Sequence, residues 1–415
     1  MAQAANKPSQ RSNSIPPRIF AFFSSFALVV WVLIFLLLIT LLGTLAQVEL
    51  GLHGAIEKYF DPLFLIHWFE FGKNDSIRIP LPLPGGYLLM ALLCTNMLCG
   101  AIIKARKSWK QPGMLVAHFS IVFLILAGFV SFHWKKEGNI ALYEGDTSGE
   151  FQSYHDWVVE IREAAPGVTS ALVVDQSLFN TLAPGTIRTF QHATLPFSLE
   201  LGSFLKNAKP ARGERENLSA EGFFLQKLSL NPENERNLPG LVATVKDPSG
   251  KFLGSGLLWG GASYPWTVEA DGRSFVIKLK HRSWKIPFSL TLDKFTRELH
   301  PGTKKAKVFL SDVTKTKNGH QEQIAITMNE PLRQDGFTFF QASWGPQDAR
   351  PGDPLYSVFA VVDNPSDMWP LYSCIMVGVG LLIHFFQKLI GHLARSARRR
   401  GKNPATAAAT LPSSP

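Results

Sequence analysis

The chain has 415 residues, 46% of them hydrophobic, yet its mean hydropathy is only +0.07. Together these point to a mixture of membrane segments and a water-soluble part rather than a chain made of spans alone. The net charge of +10 collects in residues 1–19 (Lys7, Arg11, Arg18), the loop 104–112 (Lys104, Arg106, Lys107, Lys110) and the tail 388–415 (Lys388, Arg395, Arg398, Arg399, Arg400, Lys402). None of these segments holds an acid, and the rest of the chain is nearly balanced, which leaves little for nucleic-acid binding.

Four charge-free apolar runs are long enough to span a bilayer: about 20–46, 86–103, 113–134 and 369–387. The first follows a basic leader, is too long for a signal-peptide core and lacks a small-residue cleavage site, so it is expected to remain as an anchor. Basic loops stay in the cytoplasm, so both termini are expected inside, with a loop at 47–85 and a domain at 135–368 outside. In that loop the aromatic stretch from Tyr59 to Phe69 suits a short interfacial helix. The prolines at 80, 82 and 84 then predict a turn into the second span.

Beyond Trp134 the period changes. Short alternating runs at 139–143, 157–161, 198–201, 240–245, 274–279, 289–292, 308–313 and 338–341 are separated by Gly, Pro, Asn and Asp clusters. They predict an all-β sandwich or paired sheets, so the fold class is a membrane protein with four transmembrane α-helices and a large all-β extracytoplasmic domain between helices 3 and 4. LPFSLELGSF at 195–204 nearly repeats as IPFSLTLDKF at 286–295, with Phe, Leu and Leu on one strand face in each. A duplicated sheet module and two similar strands both fit. The tail beyond residue 400 is rich in Ala, Pro and Ser, a composition of disordered segments.

Few residues offer chemistry. There is no phosphate-cradling glycine loop, paired-cysteine metal site or nucleophile elbow. Cys94, Cys99 and Cys374 all lie in spans; they read as small packing residues, or Cys94 and Cys374 as an intramembrane thiol relay. His118 lies six residues inside the third span, roughly 9 Å deep, where an ionisable group is costly unless something binds it. His384 lies toward the same leaflet in the fourth span, within reach of interfacial water. His133, at the far end of the third span, reads as an anchor beside Trp134. A neutral imidazole in a dry helix bundle suits haem iron, though it equally suits a hydrogen bond to a neighbouring helix. A second axial ligand would come from His384 or another subunit.

Several segments in order resemble the ResB-like proteins of system II cytochrome c biogenesis: LLGTLAQVELG, LPLPGGYLLM, GMLVAHFSIVFLILAG, EGNIALYEGD, LPFSLELGSF, IPFSLTLDKF followed by HPGT, and MNEPLRQDGFTFFQASW. The resemblance implies a bacterial inner-membrane subunit that pairs with a multispan ResC-like haem-handling protein and serves apocytochrome c. It implies haem as the transported group, His118 as its intramembrane axial ligand, and a non-catalytic or co-catalytic part in a haem lyase complex. Trp259-Gly260-Gly261 and Trp266 do not make the partner's tryptophan-rich motif, so the chain is similar to the ResB half alone. A cofactor-free membrane-anchored β domain, structural or sensory, and a thiol-electron carrier are the competing readings.

Overall fold

In the computed structural model, residues 17–71, 77–104, 112–167, 170–302, 306–346, 349–350 and 353–402 are described. Most of the basic leader (1–16), most of the basic loop (105–111) and the end of the tail (403–415) therefore lie outside the described residues. The chain forms two units. One takes the residues up to Leu45, Ala55–His133 and those from Ser366 onward; the other takes Ala46–Gly54 and Trp134–Pro365.

The apolar helices are α1 (Pro17–Phe23), α2 (Phe26–Tyr59), α3 (Gly86–Ile103), α4 (Pro112–Trp134) and α5 (Trp369–Lys402), and they belong to the first unit except for Ala46–Gly54 of α2 and Trp134. Among the described residues α2, α3, α4 and α5 are long and apolar enough to cross a membrane. The first span departs from its expected bounds at both ends. Ser24 and Ser25 break the helix, and Ser25 caps α2 by accepting from the Ala27 N–H at 3.2 Å. The buried Asn96 of α3 donates to the Phe23 and Ser25 carbonyls at 2.7 and 3.0 Å, which answers groups that the break sets free. At its far end α2 is helical to Tyr59 rather than 46, apart from Gly51 at φ 69° and ψ 176°. A side chain at Gly51 would meet the Pro232 carbonyl as well as an unfavourable φ. The last span likewise continues as helix beyond 387, to Lys402.

The aromatic stretch after Tyr59 is not an interfacial helix. It is strand β1 (Phe64–Phe71), paired antiparallel with β2 (Ile77–Pro84). The prolines at 80, 82 and 84 do not end regular structure, because they share one parity and face Trp68, Ile66 and Phe64 in the register. Residues of one parity point their N–H groups away from the partner, so an outer strand keeps its ladder with proline at every second position.

The second unit holds the β domain, and every alternating run named above falls within a strand. The larger sheet follows the path His320–Thr327, Ala306–Lys317, Arg273–Leu299, Thr147–Glu163, Lys136–Tyr143, Tyr356–Asp363, Phe337–Gly345, Leu332–Gln334, all antiparallel. A four-stranded sheet, Phe252–Trp259, Gly240–Lys246, Ser198–Leu205 and Ile187–Phe190, packs on part of it through Leu199, Leu201, Leu241 and Ala243 against Val159, Ile161, Ile277 and Leu279. A second core joins Ile140, Leu142, Phe151, Phe288, Leu290, Leu292, Phe339 and Phe359. The 27-residue strand Arg273–Leu299 serves both cores, and its register against Thr147–Glu163 shifts between His281 and Ser283 and again between Lys285 and Leu290. Such bulges bend a strand and let it change partners.

The repeated segments have matching roles. Phe197, Leu199 and Leu201 are buried in the first core, and Phe288, Leu290 and Leu292 in the second. Their neighbours differ: the first copy lies between Ile187–Phe190 and Gly240–Lys246, the second between Thr147–Glu163 and Ala306–Lys317. The likeness thus stops at the strand and does not extend to a duplicated sheet.

Other quoted segments meet in space. In EGNIALYEGD, Glu144 accepts from the Phe295 N–H at 2.8 Å, and the Gly145 N–H donates to the Leu292 carbonyl at 2.7 Å, locking that turn onto IPFSLTLDKF. In the FQASW stretch, Gln341 lies in a buried network with Ser311 and Ser357, at 2.6 to 3.0 Å, and Arg297 sits 4.1 Å over the Trp344 ring. Buried polar groups are stable only when satisfied, so these residues serve the fold. Trp259 also has a structural role, donating its indole N–H to the Ala208 carbonyl at 2.8 Å.

Candidate functional site

His118 sits in the second turn of α4, half-buried, with Nδ1 2.7 Å from the Met114 carbonyl. A carbonyl can only accept, so Nδ1 carries the proton in this bond. The neutral ring then holds its lone pair on Nε2, the tautomer a metal ligand requires, with the ring orientation fixed by its own helix. The hydrogen bond engages Nδ1 alone and leaves Nε2 without a hydrogen-bond partner among the described residues.

The surrounding helix pair is set by glycines. A Cβ added to Gly113 would lie 2.5 Å from the Gly380 carbonyl oxygen and 2.5 Å from the His384 backbone nitrogen; one added to Gly380 would lie 2.7 Å from the Ala117 nitrogen. Helices α4 and α5 thus cross in backbone contact, as small residues four apart allow. Farther along, Phe123 stacks on Trp369 at 5.2 Å and Ser366 donates to the Ala127 carbonyl at 2.9 Å. The crossing sets the His384 backbone against Gly113 and Gly380 against Ala117, so the two histidines read from the sequence share this helix pair but lie more than one helical turn apart along it. Gln387 Oε1 and Ser373 Oγ on α5 are buried without a hydrogen-bond partner among the described residues.

His133 lies in an aromatic cluster with Tyr87, Phe129 and Phe132, its Nε2 3.3 Å from the Tyr87 hydroxyl, in keeping with an anchor. The three cysteines are free thiols; Cys94 and Cys99 are half-buried and Cys374 is exposed.

A second histidine group escaped the sequence reading. His53 stacks on His155 at 4.3 Å and 19°, and His281 lies 3.8 Å from the Trp157 ring, all within the second unit. His155 Nδ1 meets the Asn234 side chain at 3.0 Å, while His281 Nδ1 is buried without a partner among the described residues. Parallel stacked rings do not converge on one metal, and no group of three His, Cys, Asp or Glu among the described residues could hold a metal ion. Positions 53, 155 and 281 share no local motif; ring stacking joins His53 to His155, and strand pairing sets His281 opposite Trp157, two residues from His155.

Burial holds the His155 imidazole below its ordinary range, with His53 and Lys135 adding to the effect and Glu137 and Asp156 opposing it. Burial lowers His281 too, with His155 adding and Asp156 opposing. Groups depressed from 6.5 stabilise the fold above that pH, and the contribution is lost as pH falls through the folded values. The β domain should therefore melt at a lower temperature at about pH 5 than at about pH 7. The drop should shrink when His155 and His281 are both replaced by Gln; an equal drop in the variant would remove these histidines from the account.

Four helices long and apolar enough to cross a membrane, joined to a large antiparallel β domain, are the features of a membrane protein. Within that class, residues 254–352 match the model of the ResB-like family, bearing out the resemblance read from the sequence. The matched segment runs from the strand Phe252–Trp259 into the strand Phe337–Gly345 and beyond, and includes IPFSLTLDKF and FQASW. It lies within the β domain and does not reach His118. No curated protein matches the chain.

Proposed function

We propose that the chain is a membrane subunit of a cytochrome c haem-attachment system, and that it holds haem within the membrane through Nε2 of His118. The observation that carries this reading is the His118–Met114 hydrogen bond at 2.7 Å, beside a helix crossing with a second histidine. The family match supports a part in cytochrome c biogenesis. The finer assignment rests on the chemistry of the site and on the resemblance.

In this reading haem is cargo. The Met114 carbonyl draws the Nδ1 proton, raises the basicity of Nε2 and aims the ring. The aliphatic walls of α4 keep water from the iron. His384 or a residue of a ResC-like multispan partner completes the axial pair. Attachment adds the acceptor's cysteine thiols across the haem vinyl groups, so the reactive sulfurs belong to apocytochrome c and must be reduced. In this reading both termini lie in the cytoplasm of a bacterial inner membrane and the β domain on the outer side, a topology that the basic leader, loop and tail favour.

The test is to purify the chain with its co-expressed partner and record the absorbance spectrum. A six-coordinate haem band is expected. A colourless complex that still restores cytochrome c output would refute haem holding by this protein.

A further inference from the structure

The apolar face of the hairpin β1–β2 has no role in the haem reading and does not depend on it. We infer that this face, formed by Phe64, Ile66 and Trp68 opposite Pro84, Pro82 and Pro80, lies against lipid at the headgroup boundary of the leaflet where α2 ends and α3 begins.

The root of the hairpin is fixed at those helix ends. Gly85 alone separates β2 from α3; its N–H donates to the Leu63 carbonyl, and the Tyr87 N–H donates to the Phe60 carbonyl, both at 2.8 Å. A side chain on Gly85 would run into the Pro62 carbonyl, and one on Gly86 would come within 2.9 Å of the Phe60 Cα. A hairpin anchored this way starts at the membrane boundary wherever its tip reaches.

Its two faces differ. On the inner face Leu65 and Leu83 are buried, and His67 Nδ1 meets the Tyr59 hydroxyl at 2.8 Å. On the outer face Phe64 is 71% exposed, Ile66 54% and Trp68 50%. Going from the root outward, the first charged residues are at the Glu70–Arg78 register position; between α3 and that pair β2 has none. The uncharged part of each strand is six residues long, roughly 20 Å.

The backbone sets the depth. On the outer edge of β1 the N–H groups of Phe64, Ile66 and Trp68 point away from β2, by the same parity that admits the prolines opposite. Hydrocarbon offers them no acceptor, so the hairpin does not sink into the bilayer core. Water would satisfy those groups but leave the aromatic face wet. Headgroup phosphate and ester oxygens beside acyl chains serve both, and tryptophan favours that depth. On the opposite edge the prolines have removed the donors, so a strand from another protein cannot extend the hairpin there.

The experiment uses the full-length chain with its three cysteines replaced by serine, in nanodiscs of phosphatidylethanolamine and phosphatidylglycerol. A nitroxide is placed at Ile66→Cys or Arg78→Cys, and its collisions with oxygen and with a water-soluble nickel complex are compared. The label at 66 should meet oxygen more often than nickel, with the reverse order at 78. Nickel-dominated collisions at both sites would overturn the inference. So would shielding of 66 from both reagents, in the chain alone or on adding the multispan partner, which would assign the face to protein. Lipids brominated near the headgroup should also quench the fluorescence of the native chain more than that of Trp68→Phe; equal quenching counts against lipid contact.

Discussion

Replacing Gly113 by leucine is expected to strip haem from the purified complex although both histidines remain. The α4–α5 crossing leaves no room: even a Cβ would lie 2.5 Å from backbone atoms of Gly380 and His384. Two backbones cannot yield as a flexible side chain can, so the helices must separate. Overpacking costs about 1–3 kcal/mol, or roughly a factor of five to a hundred in haem occupancy. Leucine at Gly380 should act alike, since its Cβ would meet the Ala117 nitrogen and the Gly113 carbonyl. Gly128 and Gly378 are matched controls on the same helices, because nothing lies within 4 Å of a Cβ at either. Haem per protein, measured as a pyridine haemochrome, checks the set. Loss at 128 and 378 equal to that at 113 and 380 would point to general helix damage.

Truncating Leu199 or Leu290 to alanine should each destabilise the β domain by about 2–5 kcal/mol. Both side chains are fully buried, the first between the two sheets and the second inside the larger one. Each is the middle residue of the Phe, Leu, Leu set on the buried face of its segment. Because they belong to different cores, their effects should add to within about 0.5 kcal/mol, and thermal unfolding of the single and double variants measures this. A strongly non-additive double variant would mean that the long strand Arg273–Leu299 couples the cores more tightly than its bulges imply.

Periodicity carried much of the architecture. The four apolar runs and the alternating segments became helices and strands because a single period of hydrophobicity dominates each. The misreadings have local causes. Leu63–Phe69 is apolar or aromatic at every position, so its period of two is hidden until β2 pairs with it. Proline at 80, 82 and 84 reads as a breaker unless the outer edge of a two-stranded ribbon is in mind. Glu49, Glu57 and Lys58 end the apolar run of α2 without ending the helix.

The site was legible in part. An imidazole deep in a charge-free run marks itself, so His118 stood out. That Nδ1 turns to Met114, and that Gly113 and Gly380 pack α4 against α5, depends on rotamer and helix docking, which no local pattern encodes. His53, His155 and His281 are joined only by long-range packing and strand pairing.

The central claim is that Nε2 of His118 binds haem iron, and the absorbance spectrum of a His118→Gly complex with its partner, without and then with added imidazole, tests it most directly. Removing a polar side chain from the apolar helix should leave insertion intact. Haem per complex should fall, and imidazole entering the cavity should restore a six-coordinate spectrum at least in part. His384→Gly should change haem content little if the partner supplies the second ligand. A His118→Gly complex with the wild-type haem spectrum and normal cytochrome c output would contradict the account and leave His118 as a structural imidazole tied to Met114.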